Sequence, residues 1–276
     1  MKASKTRTGY PSLDRHEQIN YVAMAPGMTS DSSHRGSILF LDESYTWIGK
    51  WLSIERFQPY LDSSEGNARK ALELYLWNAA LSQVVMQGIS HFEIALRNAV
   101  NSAMESCWHG QKHWLLDDAS PARQPIMRKA AKGMLDSNRI NRIAIDAVVN
   151  TLPDSSTIGD IVSNLTLGFW VHLSDRSREA VIWRTGLYRA WPKGTNRAEL
   201  QKRLMGILRV RNRSAHGERL FNPAQEQLSP RRANDDAAQL LWQLCPQAAE
   251  HLYGAEGRTP IDAFLKDHPA PASIRL

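Results

Sequence analysis

The sequence predicts an all-α fold, a single helical bundle with irregular N- and C-terminal extensions. Three observations favour this fold. Apolar residues recur at helical spacing through most of the chain. No Asn-Gly or Asp-Gly turn lies between alternating strands, so the usual sign of a β-hairpin is missing. No repeat unit of about 20 to 50 residues is present, which argues against a solenoid.

The composition is that of a globular protein. The chain has 276 residues, of which 42% are hydrophobic and 22% charged, so it can bury a substantial core. Apolar runs such as residues 38–41 are far too short to span a membrane. The basic N-terminus is not followed by an apolar stretch, so we expect no secretory signal. Two cysteines, Cys107 and Cys245, make no disulfide framework, and we expect a cytoplasmic protein without membrane contact.

The chain divides into three parts by pattern. Residues 1–40 are rich in Ser, Thr, Gly and Pro and are predicted to be a flexible N-terminal arm. Residues 41–253 carry the helical pattern and are predicted to form one domain. Residues 254–276 contain several prolines and are predicted to be a C-terminal tail with at most one short helix, over residues 261–266.

The longest predicted helix runs from about Asn67 to Ser106. Its apolar residues step by three or four positions along one face; they are Val85, Ile89, Phe92, Leu96, Ala99 and Ala103. Gly88 either costs about 1 kcal/mol relative to alanine or marks a break into two helices. The other predicted helices cover residues 43–61, 121–150, 154–168, 175–191, 196–216 and 231–253.

The helix over residues 196–216 changes character along one face. It begins as an apolar stripe of leucine and isoleucine: Leu200, Leu204, Ile207 and Leu208. The same spacing continues through Arg211, Asn212 and His216. Polar groups on a buried stripe need partners or a cleft, because burying them unpaired is expensive. The end of this helix is therefore either a structural network or an active site.

The angular positions of these residues restrict how they act together. Asn212 and His216 share a face, whereas Arg211 and His216 are about 140° apart on an ideal helix. They converge only if the helix ends near His216, with Gly217 as its C-cap, or if two copies of the helix meet in a dimer. The negative end of the helix dipole favours a protonated histidine, which suits a proton-transfer group.

A second polar cluster, Glu93, Arg97 and Asn98, lies on the longest predicted helix. Glu93 and Arg97 are four residues apart in the order that favours an ion pair. They flank the apolar line through Phe92 and Leu96, at the edge of the buried face. The cluster either supports a site or contains an ordinary helical ion pair.

The basic charge of the chain comes mostly from arginine. The net charge is +6, from 24 arginines and 10 lysines against 28 acidic residues, and arginine suits phosphate recognition. Candidate RNA-binding residues surround the polar end of the late helix: Lys202, Arg203, Arg209, Arg213 and Arg219. They form either a phosphate-binding surface or a solvated helix face.

Three segments together resemble a known family. They are Glu93-x3-Arg97-Asn98, the block over residues 167–171 (LGFWV), and Arg211-Asn212-x3-His216. Over about residues 45–225 the chain resembles an Abi-like (abortive-infection) protein of the HEPN superfamily. The resemblance implies a HEPN-type helical bundle, a homodimer and a metal-independent endoribonuclease. It implies Arg211 and His216 as catalytic residues, Asn212 in support, and Glu93, Arg97 and Asn98 as an auxiliary cluster.

This leads to a first functional hypothesis, an antiviral or toxin-type ribonuclease. The 2′-OH of RNA serves as nucleophile, histidine transfers protons and arginine stabilises the phosphorane-like charge. The products would carry 2′,3′-cyclic phosphate or 3′-phosphate and 5′-hydroxyl ends. The resemblance also implies a cognate antitoxin, either a protein or a small RNA. We expect neither a metal nor another cofactor.

Other hypotheses stay open. The second is a non-catalytic RNA-binding or adaptor module, in which Arg211 and His216 bind RNA without cutting it. The third is a helical scaffold with no role in nucleic-acid binding. The spacing of Cys107, His109 and His113 is a weak match to a metal site.

Overall fold

A computed structural model describes residues 45–130, 133–254 and 256–276, so the predicted arm over residues 1–40 lies outside the described residues. The all-α prediction is confirmed. In the described part, the elements are α1 (Thr46–Leu52), α2 (Ile54–Ser63), α3 (Ala68–Cys107), β1 (Met127–Ala130), β2 (Gly133–Asp136), α4 (Arg139–Thr151), α5 (Ile158–Asn164), α6 (Leu167–His172), α7 (Arg197–Ala215), α8 (Pro230–Leu244), α9 (Pro246–Tyr253) and α10 (Pro260–Asp267).

Helix α3 is the axis of the bundle. It has 40 residues, and at 1.5 Å per residue it spans about 60 Å. Its N-cap is Asn67, whose Oδ1 accepts a hydrogen bond from the Lys70 amide at 3.0 Å. Helices α2, α5, α6, α7, α8 and α10 all pack against it. The helix therefore carries the main core along its length.

The predicted buried face of α3 is confirmed. Val85, Ile89, Phe92 and Leu96 are all buried in the main hydrophobic cluster. Ala103 is buried as well, and Ala99 is half-buried. The four apolar residues of the late-helix stripe, now on α7, are buried opposite this face. Hydrophobic spacing therefore located the buried faces of α3 and α7, and the structure shows that these two helices pack together.

Gly88 does not break α3. A side chain at this position would place its Cβ 2.2 Å from Oδ1 of Asn234 on α8. Asn234 is itself buried, and its Nδ2 donates a hydrogen bond to the Val85 carbonyl at 3.5 Å. The glycine thus permits a close approach of α8, which offsets the cost of glycine within a helix.

Two predicted helices are each divided in two. The helix predicted over residues 43–61 is interrupted at Ser53, which has a φ of 62° and caps α2 with its Oγ. The helix predicted over residues 231–253 is interrupted at Cys245. There, Pro246 begins α9, because proline suits the first turn of a helix but lacks the N–H needed further along it.

The prediction of a helix over residues 121–150 is wrong in its first half. Two strands lie in this part, with β1 antiparallel to β2 and Met127 opposite Asp136. Oδ1 of Asp136 accepts hydrogen bonds from the amides of Ile126 and Asn138, each at 2.9 Å. Asn138 is fully buried and donates to the carbonyls of Pro121 and Gln124. Such side-chain bonds to the backbone compete with a helix.

The prediction of an α-helix over residues 175–191 is also wrong. The chain forms short 3-10 turns at Arg176–Arg178 and Leu187–Ala190, on either side of a π-helical turn at Glu179–Trp183. The buried Arg178 side chain donates to the His172 carbonyl at 3.1 Å and pairs with Asp175 at 2.8 Å. The bond to His172, outside the segment, and the ion pair with Asp175, its first residue, take precedence over the helical pattern of the segment.

The predicted short helix over residues 154–168 consists of two helices, α5 and α6. The capping box of Thr157 and Asp160 begins α5, and Thr166 caps α6. Leu167, Phe169, Trp170 and Val171 of α6 are buried, and the Trp170 ring lies 6.3 Å from that of Trp114. The LGFWV block is therefore part of the core.

The predicted short helix near the C-terminus is α10. It packs against α3 and buries Ile261 completely. Further on, the Asn222 amide donates to the Arg275 carbonyl at 2.7 Å. The division of the chain into arm, domain and tail stays a prediction. None of the helices in the described ranges combines the length and the apolar character that crossing a membrane requires.

We predict that Gly88→Ala destabilises the protein by about 1–3 kcal/mol, although alanine favours helix formation, because the new methyl group collides with buried Asn234. Urea denaturation measures the loss. Gly168→Ala is the matched control, since its Cβ would lie no closer than 3.6 Å to another side chain. Adding Asn234→Ala to Gly88→Ala should recover part of the stability. An unchanged free energy of unfolding for Gly88→Ala would contradict the predicted collision.

Candidate active site at the end of α7

Helix α7 ends at the predicted position. Ala215 is its last residue, His216 is the C-cap, and Gly217 follows with a φ of 62°. The Glu218 amide donates to the Arg213 carbonyl at 2.9 Å, and the Gly217 amide donates to the Ser214 carbonyl at 3.1 Å. This pair of bonds is a Schellman motif. It leaves the His216 side chain exposed at the helix end.

Arg211 lies on the side of α7 that faces α3. Its Nε is 3.8 Å from Oε2 of Glu93, and the two side chains are 29% and 16% exposed. Its Nη1 donates to Oδ1 of Asn212 at 3.4 Å. The Nε atom is buried and has no hydrogen-bond partner. Arg211 and Glu93 therefore form a mostly buried ion pair that joins the two central helices.

Arg97 has a different partner from the one the sequence suggested. Its Nη1 donates to the Ser163 carbonyl, in the last turn of α5, at 2.8 Å. A cation is favourable there, because the last carbonyls of a helix carry partial negative charge. Glu93 pairs with Arg211 instead of Arg97. Together these three side chains connect α3, α5 and α7.

Arg211 and His216 do not meet within one protomer. Arg211 points to Glu93, about 140° around α7 from the direction of His216. In the described residues, no hydrogen bond joins the two side chains. Asn212 is exposed; its Oδ1 accepts a hydrogen bond from Arg211, and its carbonyl accepts one from the His216 amide at 3.0 Å. Convergence of the two side chains across a dimer stays a prediction.

A basic stripe runs along the exposed side of α7. Lys202, Arg209, Arg213 and His216 follow one another at spacings of seven, four and three residues, and so share a face. Lys202 and Arg209 are exposed. Arg213 pairs with Glu218 at 3.3 Å and also donates to the Arg219 carbonyl. His216 is therefore the last residue of the basic stripe.

Arg203 lies away from this stripe. Its Nε pairs with Asp236 on α8 at 2.6 Å, and its Nη2 donates to Gln239 at 2.9 Å. These contacts hold α7 against α8. Arg203 is thus engaged within the protein, while its predicted RNA contact stays untested.

Arg56 on α2 is a site residue that sequence reasoning missed. Its Nη2 donates to the His216 carbonyl at 3.4 Å, across 160 residues of sequence. Arg219 also lies nearby and places its guanidinium 5.6 Å from the Phe221 ring. Burial raises the pKa of Tyr60 to about 12, against the opposing charges of Arg56, Arg213 and Arg219. No local pattern marks Arg56, because α2 and α7 meet only in the folded chain.

Asn98 is exposed and does not join Glu93. It lies about 140° around α3 from Glu93, along a groove between α3, α8 and α9. The structure therefore separates the predicted auxiliary cluster into two parts. Within residues 45–130, 133–254 and 256–276, no three His, Cys, Asp or Glu side chains are grouped to hold a metal ion.

Comparison with known proteins identifies the region that contains these residues. A model of the family described as Abi-like protein matches residues 51–222. This range includes Arg56, Glu93, Arg97, Arg211 and His216. No curated protein and no solved structure gives a significant match.

We predict that Glu93 and Arg211 are energetically coupled. In a double-mutant cycle with Glu93→Gln and Arg211→Met, the interaction should be worth about 1 kcal/mol, because the pair is largely shielded from water. Denaturant unfolding of the four proteins measures it. Arg69 and Glu73 provide the control: they are 3.9 Å apart but 73% and 65% exposed, so their coupling should be too small to measure. Equal coupling in both pairs would show that burial plays no part.

Proposed function

The chain belongs to the Abi-like protein family, and from this premise we propose that it is an endoribonuclease of the HEPN superfamily that acts in abortive infection. Such an effector would cut cellular RNA during phage infection and arrest the host. A cognate antitoxin, protein or small RNA, would restrain it. RNA is the proposed substrate, and a homodimer is the proposed active form.

The observation that carries this proposal is the exposed His216 at the end of the basic stripe of α7. Its imidazole is accessible to a ligand, and the stripe supplies positive charge on the same face. Asn212 lies on the adjacent turn, four residues before it. A phosphodiester that follows the stripe would reach a proton-transfer group at its end.

The chemistry needs few groups, because RNA supplies its own nucleophile. His216 would take the proton from the 2′-OH as that oxygen attacks the adjacent phosphorus, and protonated histidine would return a proton to the departing 5′-oxygen. The phosphorus–5′-oxygen bond breaks as the new bond to the 2′-oxygen forms. Arg211 would stabilise the charge on the phosphorane-like transition state, and Asn212 would orient its guanidinium. The products are a 2′,3′-cyclic phosphate and a 5′-hydroxyl.

The separation of Arg211 from His216 supports a site shared by two protomers. Within one chain the two side chains diverge by about 140°. In a dimer with twofold symmetry, Arg211 of one protomer and His216 of the second would face the same phosphate. The twofold rotation would create two equivalent sites. Glu93 would hold Arg211 in place before RNA binds.

The ion pair between Glu93 and Arg211 also favours a second candidate function. A guanidinium already neutralised by a carboxylate has less charge available for a transition state. The chain would then be a non-catalytic RNA-binding or adaptor module. This alternative predicts retention of RNA without cleavage.

We predict that His216→Ala lowers the cleavage of total RNA by at least about 100-fold, because proton transfer is lost. The fold and RNA affinity should persist, since the His216 side chain is exposed at the helix end. His251→Ala, which changes an exposed histidine on α9, is the control and should leave cleavage intact. Mapping of the RNA ends should show cyclic phosphates. Ends carrying 5′-phosphate, formed only with Mg²⁺, would contradict the proposed chemistry.

A subunit-mixing experiment tests the shared site. Arg211→Ala and His216→Ala should each be inactive alone. Unfolded and refolded together in equal amounts, they should recover about a quarter of the wild-type rate, because half of the dimers then contain one intact site. Size-exclusion chromatography with light scattering checks that dimers form. Dimers that recover no activity would mean that Arg211 and His216 do not combine across the interface.

A further inference from the structure

An open cleft lies near the C-terminal end of α3, in the segment between α6 and α7. It has a volume of about 420 Å³ and is lined by aromatic and basic side chains: Trp183, Arg184, Tyr188, Arg189, Trp191 and Lys193. This volume is in the range of small-ligand sites. We refer to it as the aromatic–basic cleft.

The three aromatic side chains of the cleft differ in burial. Trp183 and Trp191 are only 8% and 6% exposed, so their positions are set by packing in the main core. Tyr188 is 45% exposed and presents its ring to solvent. A tyrosine ring in this position offers a planar surface for stacking.

The cations of the cleft differ in how far they are neutralised. Arg184 pairs with Glu179 at 2.9 Å, and Glu179 also pairs with Arg197 at 3.0 Å. Arg189 lies 5.8 Å from the Tyr188 ring, and its Nε donates to the Tyr188 hydroxyl at 3.4 Å. In the described ranges, no carboxylate lies within 4.0 Å of Arg189 or Lys193. These two cations are therefore available to an anionic ligand.

The cleft is distinct from the site at the end of α7. The Cβ of an alanine at position 186 would lie 3.2 Å from Met104 Sδ, so this segment crosses α3 near its C-terminal end. Glu93, the α3 partner of Arg211, precedes Met104 by 11 residues, which is about 16 Å along the helix axis. A ligand in the cleft therefore need not touch Arg211.

We propose that the aromatic–basic cleft binds one unpaired nucleotide of a single-stranded RNA. The base stacks on Tyr188, and the flanking phosphates are held by Arg189 and Lys193. Rings and cations side by side match the alternation of bases and phosphates in a single strand. None of these contacts reads a base edge, so binding tolerates many sequences. This inference rests on the proposed function only in taking RNA as the substrate.

The charge requirement is tested with RNA that cannot be cut. A fluorescent single-stranded oligoribonucleotide with 2′-O-methyl groups at every sugar is titrated with the full chain, and anisotropy gives its affinity. Arg189→Glu with Lys193→Glu should weaken binding about tenfold and reduce the slope of log affinity against log salt by about 1.4, the value for two lost phosphate contacts. The control, Lys70→Glu with Lys266→Glu, changes the net charge equally at two exposed positions elsewhere.

The stacking requirement is tested at Tyr188. Tyr188→Leu should weaken binding about fivefold or more, whereas Tyr188→Phe should keep most of the affinity, because the ring remains. RNA containing 5-iodouridine should cross-link on irradiation to the peptide that contains Tyr188, which mass spectrometry identifies.

Other outcomes overturn the inference or separate it from the nuclease proposal. Equal losses for the cleft variant and the charge control, or cross-links only outside residues 183–195, would show that RNA does not use the cleft. Binding of poly-glutamate that depends on Arg189 and Lys193 but not on Tyr188, with no effect on RNA, would assign the cleft to an acidic protein.

RNA that binds in the cleft but is never cut refutes the nuclease proposal alone. RNA that is cut normally by the cleft variant, with unchanged affinity, refutes the cleft proposal alone.

Discussion

The buried face of α3 is the constraint on which the rest of the protein depends. In the part of the chain that the structure describes, six other α-helices pack against this 40-residue helix, each at a different position along it. Gly88 sets how closely α8 approaches. Glu93 faces α7 near the middle, and Met104 contacts the turn at Gly186 near the end. The two proposed RNA-binding regions therefore lie against different parts of the same helix, α3.

The polar residues on this apolar scaffold are tolerated because they have partners. Arg211 continues the stripe of α7 into the interior, where an isolated charge would be very costly. Glu93 offsets that cost, and Arg97 finds a carbonyl at the end of α5. Such a pair adds little net stability compared with apolar residues of similar size. Its effect is to hold a guanidinium at the edge of the core in a defined orientation.

The backbone geometry at the end of α7 directs the side chains of two candidate site residues, Arg211 and His216, differently. The Schellman motif at Gly217 ends the helix and leaves His216 exposed, while Arg211 remains turned towards α3. Arg56 then ties the last turn to α2 through the His216 carbonyl. The histidine is consequently carried by a stable backbone but keeps an accessible side chain. This combination suits the proposed role of His216, in which its side chain would meet a substrate and a second protomer.

Local spacing determined much of this protein from sequence alone. The apolar period placed α3 and α7, the glycine after His216 located the end of α7, and the change from leucine to arginine marked the candidate site. These features depend on residues within a few turns of one another, so a linear pattern contains them. The predicted site residues could be named for the same reason, although their roles in RNA cleavage stay predictions.

Only the tertiary structure decided which distant residues meet. It replaced the local pair of Glu93 and Arg97 with a pair across two helices, and brought Arg56 to the end of α7. It paired residues 127–130 with residues 133–136 as antiparallel strands, because Asp136 and Asn138 bond to backbone groups that a helix would have used. In each case, contacts between residues on different segments of the chain supply the stabilising free energy. That free energy exceeds the few tenths of a kcal/mol per residue by which local preference favours a helix.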